Sequence, residues 1–119
     1  MRARARHEMT TSVIDMPTFT ALQETTGADF VAELVGTFLE EAPRMLAELR
    51  SALAAQSADT FRRAAHSLKS NSNTFGASRL AEMARELELG GLVTATAPLD
   101  ALDAEYQRVA RALTDASRG

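Results

Sequence analysis

Apolar residues recur at helical spacing along almost the whole chain, and no stretch sustains the alternation of a half-buried strand. The pattern predicts an all-α fold. A short first helix starts at Asp15, a good N-cap with Pro17 in the first turn, and stops at Gly27, with Phe19 and Leu22 facing inward. A second and longest helix begins at Asp29 and carries Val31, Leu34, Val35, Phe38, Ala42, Met45, Leu49 and Leu53 along one stripe. Pro43 lies inside it, removes one backbone donor and presses on the Leu39 carbonyl, which predicts a bend rather than two helices.

The third helix, from about Asp59 to Phe75, buries Phe61, Ala65, Leu68, Ser72 and Phe75, and Gly76 ends it. A fourth, capped by Ser78, buries Leu80, Met83, Ala84 and Leu87 before Leu89 to Gly91 break the pattern. The fifth starts near Thr96 with Pro98 in its first turn and buries Leu99, Leu102, Tyr106, Val109 and Leu113. Short connections make sequential helices antiparallel neighbours, so the expected architecture is an up-and-down four-helix bundle with an additional short N-terminal helix. A length of 119 residues suits one such domain. Its expected extent is residues 15–117, preceded by a solvated tail over residues 1–14.

Composition narrows the functional classes. Aromatic residues make up only 5% of the chain and Trp is absent, so aliphatic and Ala packing must fill the interior. A net charge of −3 with mixed signs, and no continuous basic stripe, argues against nucleic acid as a partner. The absence of cysteine excludes disulfides and thiolate metal sites and is compatible with a reducing compartment. The start MRARARHEM lacks a following apolar run of signal-peptide length, and no segment is long enough to span a bilayer. The expected location is therefore cytoplasmic.

The candidate chemistry lies in AHSLKSNSNTFGA, residues 65–77. Arg62, His66, Lys69, Ser70, Asn73 and Ala77 share one helix face, opposite the Phe61, Leu68 and Phe75 stripe, so His66 points to solvent. A phosphoryl group on an imidazole nitrogen carries close to two negative charges, and a cation one turn away attracts and stabilises it. Lys69 has that spacing, and Arg62 adds a second cation from the other side. Ser70 and Asn73 are small enough to let His66 enter another protein's active site. Asp59, Arg62 and Arg63 flank it as candidate determinants of partner choice. No Ser, Asp or Glu of this face is placed to orient the imidazole, which argues against His66 as the base of a hydrolase. Interior stripes show no carboxylate cluster with histidine, which argues against a metal or cofactor bundle.

These residues resemble the histidine phosphotransfer (HPt) domain of phosphorelays, whose signature runs H-x-L-K-G-S-S-x-x-x-G-A, followed by a leucine-rich helix ending in Leu-Glu. The matching positions are His66, Leu68, Lys69, Ser70, Asn71, Ser72, Gly76 and Ala77, then Leu80, Leu87 and Glu88. In that frame Leu68 anchors the helix so that His66 faces out, and Gly76 supplies a left-handed cap. Ser72 lets the neighbouring helix approach and bonds back to the Leu68 carbonyl. Ser70 replaces the usual Gly, and Asn71 replaces a Ser at the edge of the buried stripe.

The resemblance implies a relay in which His66 accepts a phosphoryl group from a receiver domain's aspartyl phosphate and passes it to another receiver. The chain would be a monomeric phosphocarrier rather than an enzyme, with no bound cofactor. Mg²⁺ would sit in the acidic pocket of the partner, for instance the receiver of a hybrid sensor kinase. The sequence has neither a P-loop nor a glycine-rich nucleotide loop. Two alternatives remain at this stage: a binding-only module with the same fold, and the dimerisation region of a sensor kinase. The latter's motif places an acidic residue directly after the histidine and a proline soon after, where this chain has Ser67 and no proline before Pro98.

Overall fold

The computed structural model describes residues 13–118. Five helices follow one another: α1 (Met16–Thr26), α2 (Ala28–Ala55), α3 (Ala58–Thr74), α4 (Ser78–Gly90) and α5 (Ala97–Arg118). No strand occurs among the described residues. Helices α2, α3, α4 and α5 each pack on the next, α5 closes the ring against α2, and α1 lies against α2. The expected four-helix bundle with a short leading helix is the observed one.

Local chemistry explains most of the boundaries. The Asp15 side chain accepts from the Thr18 backbone N–H at 3.2 Å and so caps α1, with a second contact from the Thr18 hydroxyl. Gly27 alone links α1 to α2, at φ +97°. At the next junction Gln56 takes the left-handed conformation, and its N–H bonds to the Ala52 and Leu53 carbonyls. Ser78 is the first helical residue of α4 rather than its cap: Ala77 holds the cap position, and the Ser78 hydroxyl turns back to the Gly76 carbonyl.

The interior is mostly aliphatic with a few aromatic rings, and Phe19, Phe61, Leu49, Leu68, Leu80, Leu99, Leu102 and Leu113 are almost wholly buried. Burying a side chain of that size stabilises by about 1.5–3 kcal/mol relative to leaving it exposed. On α2 the buried stripe is Val31, Val35, Phe38, Ala42, Leu46, Leu49 and Ala52. The expected Leu34, Met45 and Leu53 are only partly buried against it, because Leu34 and Met45 line a cleft between α2 and α3. Pro43 leaves α2 continuous. It also leaves the Leu39 carbonyl without its helical donor. The buried Tyr106 hydroxyl of α5 donates to that carbonyl at 3.3 Å.

The expected leading tail also needs revision. Residues 1–12 lie outside the described residues, but Ile14 belongs to the core and Val13 packs against it. The body therefore begins before Asp15. The Asp15 N–H donates to the Gly76 carbonyl at 2.8 Å, which ties the entry to α1 onto the turn between α3 and α4.

Candidate functional site

Leu68 is fully buried and sets the rotation of α3, so His66, two residues earlier, emerges on the outer face with its side chain 56% exposed. Ser72 is equally buried, and its hydroxyl donates to the Leu68 carbonyl at 2.7 Å. Gly76 has φ +79°, and a Cβ there would lie 2.9 Å from the Asp15 carbonyl oxygen. Its smallness thus serves the close approach of α1 as well as the turn.

The imidazole does have an orienting carboxylate. Glu88, in the last turn of α4, places Oε2 2.8 Å from His66 Nδ1, and Lys69 Nζ lies 2.9 Å from Glu88 Oε1. Oε1 accepts no well-directed hydrogen bond among the described residues, so the lysine contact is an ion pair held by charge at short range. Glu88 is 15% exposed and Lys69 25%, against 56% for His66. A half-enclosed carboxylate thus carries an outward imidazole and a flanking ammonium. Lys69 foremost, then His66, hold the Glu88 carboxyl below its ordinary titration range, against the opposing pull of desolvation.

The expected lack of an orienting Ser, Asp or Glu concerned the His66 face of α3, and the orienting carboxylate comes from outside it. The partner comes from α4 rather than from the histidine's own helix, and Glu88 had entered only as the last letter of the signature. A usable signal was present: His66 and Glu88 are equidistant in sequence from Ala77, and an antiparallel helical hairpin brings such positions side by side.

The remaining candidates fall into two groups. Ser70 and Asn73 are exposed on the His66 face, as their spacing predicts. Arg62 lies one turn before His66, but its guanidinium is bound to Asp59 at 2.6 Å, and Arg63 reaches the same carboxylate at 3.4 Å. Neither arginine is therefore paired with the Glu88 group. Asn71 is exposed beside the α2–α3 cleft and bonds back to the Ser67 carbonyl at 2.8 Å. A second carboxylate lies deeper: Glu105 of α5 is buried and bound by Arg108 at 2.7 Å. Among the described residues no group of three His, Asp or Glu side chains is arranged to hold a metal ion, and no helix is long and apolar enough to cross a membrane.

Comparison with known proteins agrees with this geometry. The Hpt domain model matches residues 33–112. The crystal structure of histidine-containing phosphotransfer protein B from Pseudomonas aeruginosa PAO1 superposes with a TM-score of 0.83 at 29% identity, covering 89% of this chain and 95% of that one. The search of curated proteins returned no match. The match over residues 33–112 includes the helix that bears His66 and the one that bears Glu88, and the chain belongs to the Hpt domain family of two-component phosphotransfer proteins.

Proposed function

We propose that this chain carries a phosphoryl group on His66 Nε2, taking it from the aspartyl phosphate of one receiver domain and giving it to the aspartate of another. The observation that carries the reading is the 2.8 Å contact between His66 Nδ1 and Glu88 Oε2. An ionised carboxylate only accepts, so Nδ1 carries the proton in this contact and donates it. In the neutral ring, Nε2 is then left with its lone pair directed outward.

Attack by that lone pair forms the Nε2–P bond as the acyl P–O bond breaks, and the donor's carboxylate leaves with the electron pair. The ring keeps its Nδ1 proton and gains positive charge, which the Glu88 carboxylate stabilises where it develops. Lys69 is one turn along, and its loosely directed ion pair lets the ammonium turn toward the phosphoryl oxygens. The return step is the same path reversed, with a different carboxylate as acceptor, so no proton has to enter or leave. Every group named on this side comes from one chain, so a monomer suffices. Mg²⁺, held by the receiver, would neutralise the phosphoryl oxygens during transfer.

Radiolabelled phosphoreceivers mixed with the purified protein provide the test. The expected result is label on the protein in acid-labile, base-stable form, absent from His66→Gln. A folded wild-type protein that takes label from no receiver, in either direction, would overturn the relay and leave a binding-only module.

A further inference from the structure

The two arginines of the His66 face are already occupied. Asp59, in the first turn of α3, binds Arg62 through Oδ1 at 2.6 Å and lies 3.4 Å from Arg63 Nε through Oδ2. All three side chains are more than half exposed, so neither core packing nor enclosure dictates the arrangement. Both guanidiniums are drawn toward the N-terminus of the helix. Arg62 begins only about 6 Å along the axis from His66, within the reach of an extended arginine side chain. Arg62, foremost, and then Arg63 hold the Asp59 carboxyl below its ordinary titration range.

We propose that Asp59 is a specificity-determining residue that competes, from within the chain, with the incoming phosphoreceiver for Arg62 and Arg63. This rests on the relay reading above. In the resting protein the carboxylate satisfies both guanidiniums and lowers the formal charge of the three-residue group from +2 to +1. Exposed ion pairs of this kind are weak and exchange readily. A phosphoreceiver whose docking surface adds anionic groups to its dianionic phosphoryl group, which offers bidentate oxygens to a guanidinium, displaces Asp59 and gains both arginines. A partner with a weaker anionic surface does not. The docking face thereby rejects non-cognate anions without losing cations for the cognate one.

The test is the second-order rate of label capture from two phosphoreceivers, one that serves the wild-type protein well and one that serves it poorly, measured across ionic strength, with Asp59→Asn expected to narrow the ratio between them. Asp59→Asn should capture label about three- to tenfold faster at low salt, with a steeper salt dependence. Asp59→Glu, which keeps the carboxylate, should stay near wild type. The Arg62→Gln/Arg63→Gln double variant should be slower, and in that background Asp59→Asn should change nothing. Asp59→Ser, a second replacement without the carboxylate, should match Asp59→Asn, with thermal melts by circular dichroism as the control for folding.

An Asp59→Asn effect that persists without the arginines would assign Asp59 to the helix dipole or the general field and overturn the proposal. No effect in the wild-type background would overturn it equally. A wild-type protein that captures no label removes the relay reading and this inference with it, whereas capture unchanged by Asp59→Asn removes only the latter.

Discussion

Two of the ion clusters that cross between helices are built in opposite proportions. Between α2 and α5, the single cation Arg50 is shared by two carboxylates, Asp100 at 2.8 Å and Asp103 at 2.5 Å. Between α3 and α4, the single carboxylate Glu88 is shared by two nitrogen bases, His66 and Lys69. In the first, both carboxylates bind the same guanidinium nitrogen, Nη2, and Asp103, then Asp100, favour its charged form. In the second, the anion is shared by both bases while Nε2 of the imidazole and protons of the ammonium stay uncommitted. Both clusters are charged, partly exposed and inter-helical, so charge and burial alone do not separate them. The kind of group left free separates them: an imidazole nitrogen in one, only guanidinium N–H donors in the other.

Removing the shared anion is the harshest way to break the contrast. Glu88→Ala should slow phosphoryl transfer to His66 by about a hundredfold, since supporting groups of this type are worth roughly ten- to a hundredfold. Glu88→Gln keeps an acceptor for Nδ1–H but no charge, and should lose about tenfold. Single-turnover transfer from a labelled receiver distinguishes the two. Lys69→Gln should cost about tenfold in the same assay by weakening phosphoryl stabilisation, while leaving the Glu88–His66 contact in place.

Acid titration sharpens the comparison further. Because the folded state holds the Glu88 carboxyl below its ordinary value of 4.5, its contribution is fully present above that pH. The contribution is lost as pH falls below 4.5 toward the folded value. Urea midpoints measured down to pH 3 should therefore fall less steeply for Glu88→Gln than for wild type. Ionised Asp103, then Asp100, shift the Arg50 guanidinium upward, so its contribution is complete at neutral pH and fades only as pH rises above the ordinary arginine range. The smallest effect on function belongs to the Arg50 cluster. Arg50→Gln should leave transfer within about twofold of wild type while lowering the thermal midpoint, because an exposed cross-helix pair contributes only modest stability.

Much of this architecture was readable from spacing. Helices are local, so the periods of Phe61, Leu68 and Ser72 on α3, or of Leu99, Leu102, Tyr106, Val109 and Leu113 on α5, report their buried faces directly. His66 and Lys69 were legible for the same reason, since one helix carries both and their offset fixes their shared face. Glu88 was not, because its contact with His66 spans a turn and depends on the register of α3 against α4. The occupation of Arg62 and Arg63 by Asp59 was equally hidden. Their spacing permits the pairing, but rotamers choose between it and the imidazole. On α2 the period led to Met45 where Leu46 is buried, since a stripe read from sequence does not reveal that a neighbouring helix leaves a cleft open.

The proline in α2 has an optical consequence. Tyr106 is the single tyrosine of a chain without tryptophan. Its hydroxyl donates to the Leu39 carbonyl that Pro43 leaves free, and its ring lies 6.0 Å from that of Phe38. Burial pushes its phenol ionisation upward. Near-ultraviolet emission and phenolate absorbance therefore report one atomic event, the parting of α5 from α2. That signal needs no introduced dye and lies apart from His66. Phosphorylation of His66 should leave this intrinsic signal unchanged, while separation of α5 from the bundle should alter it.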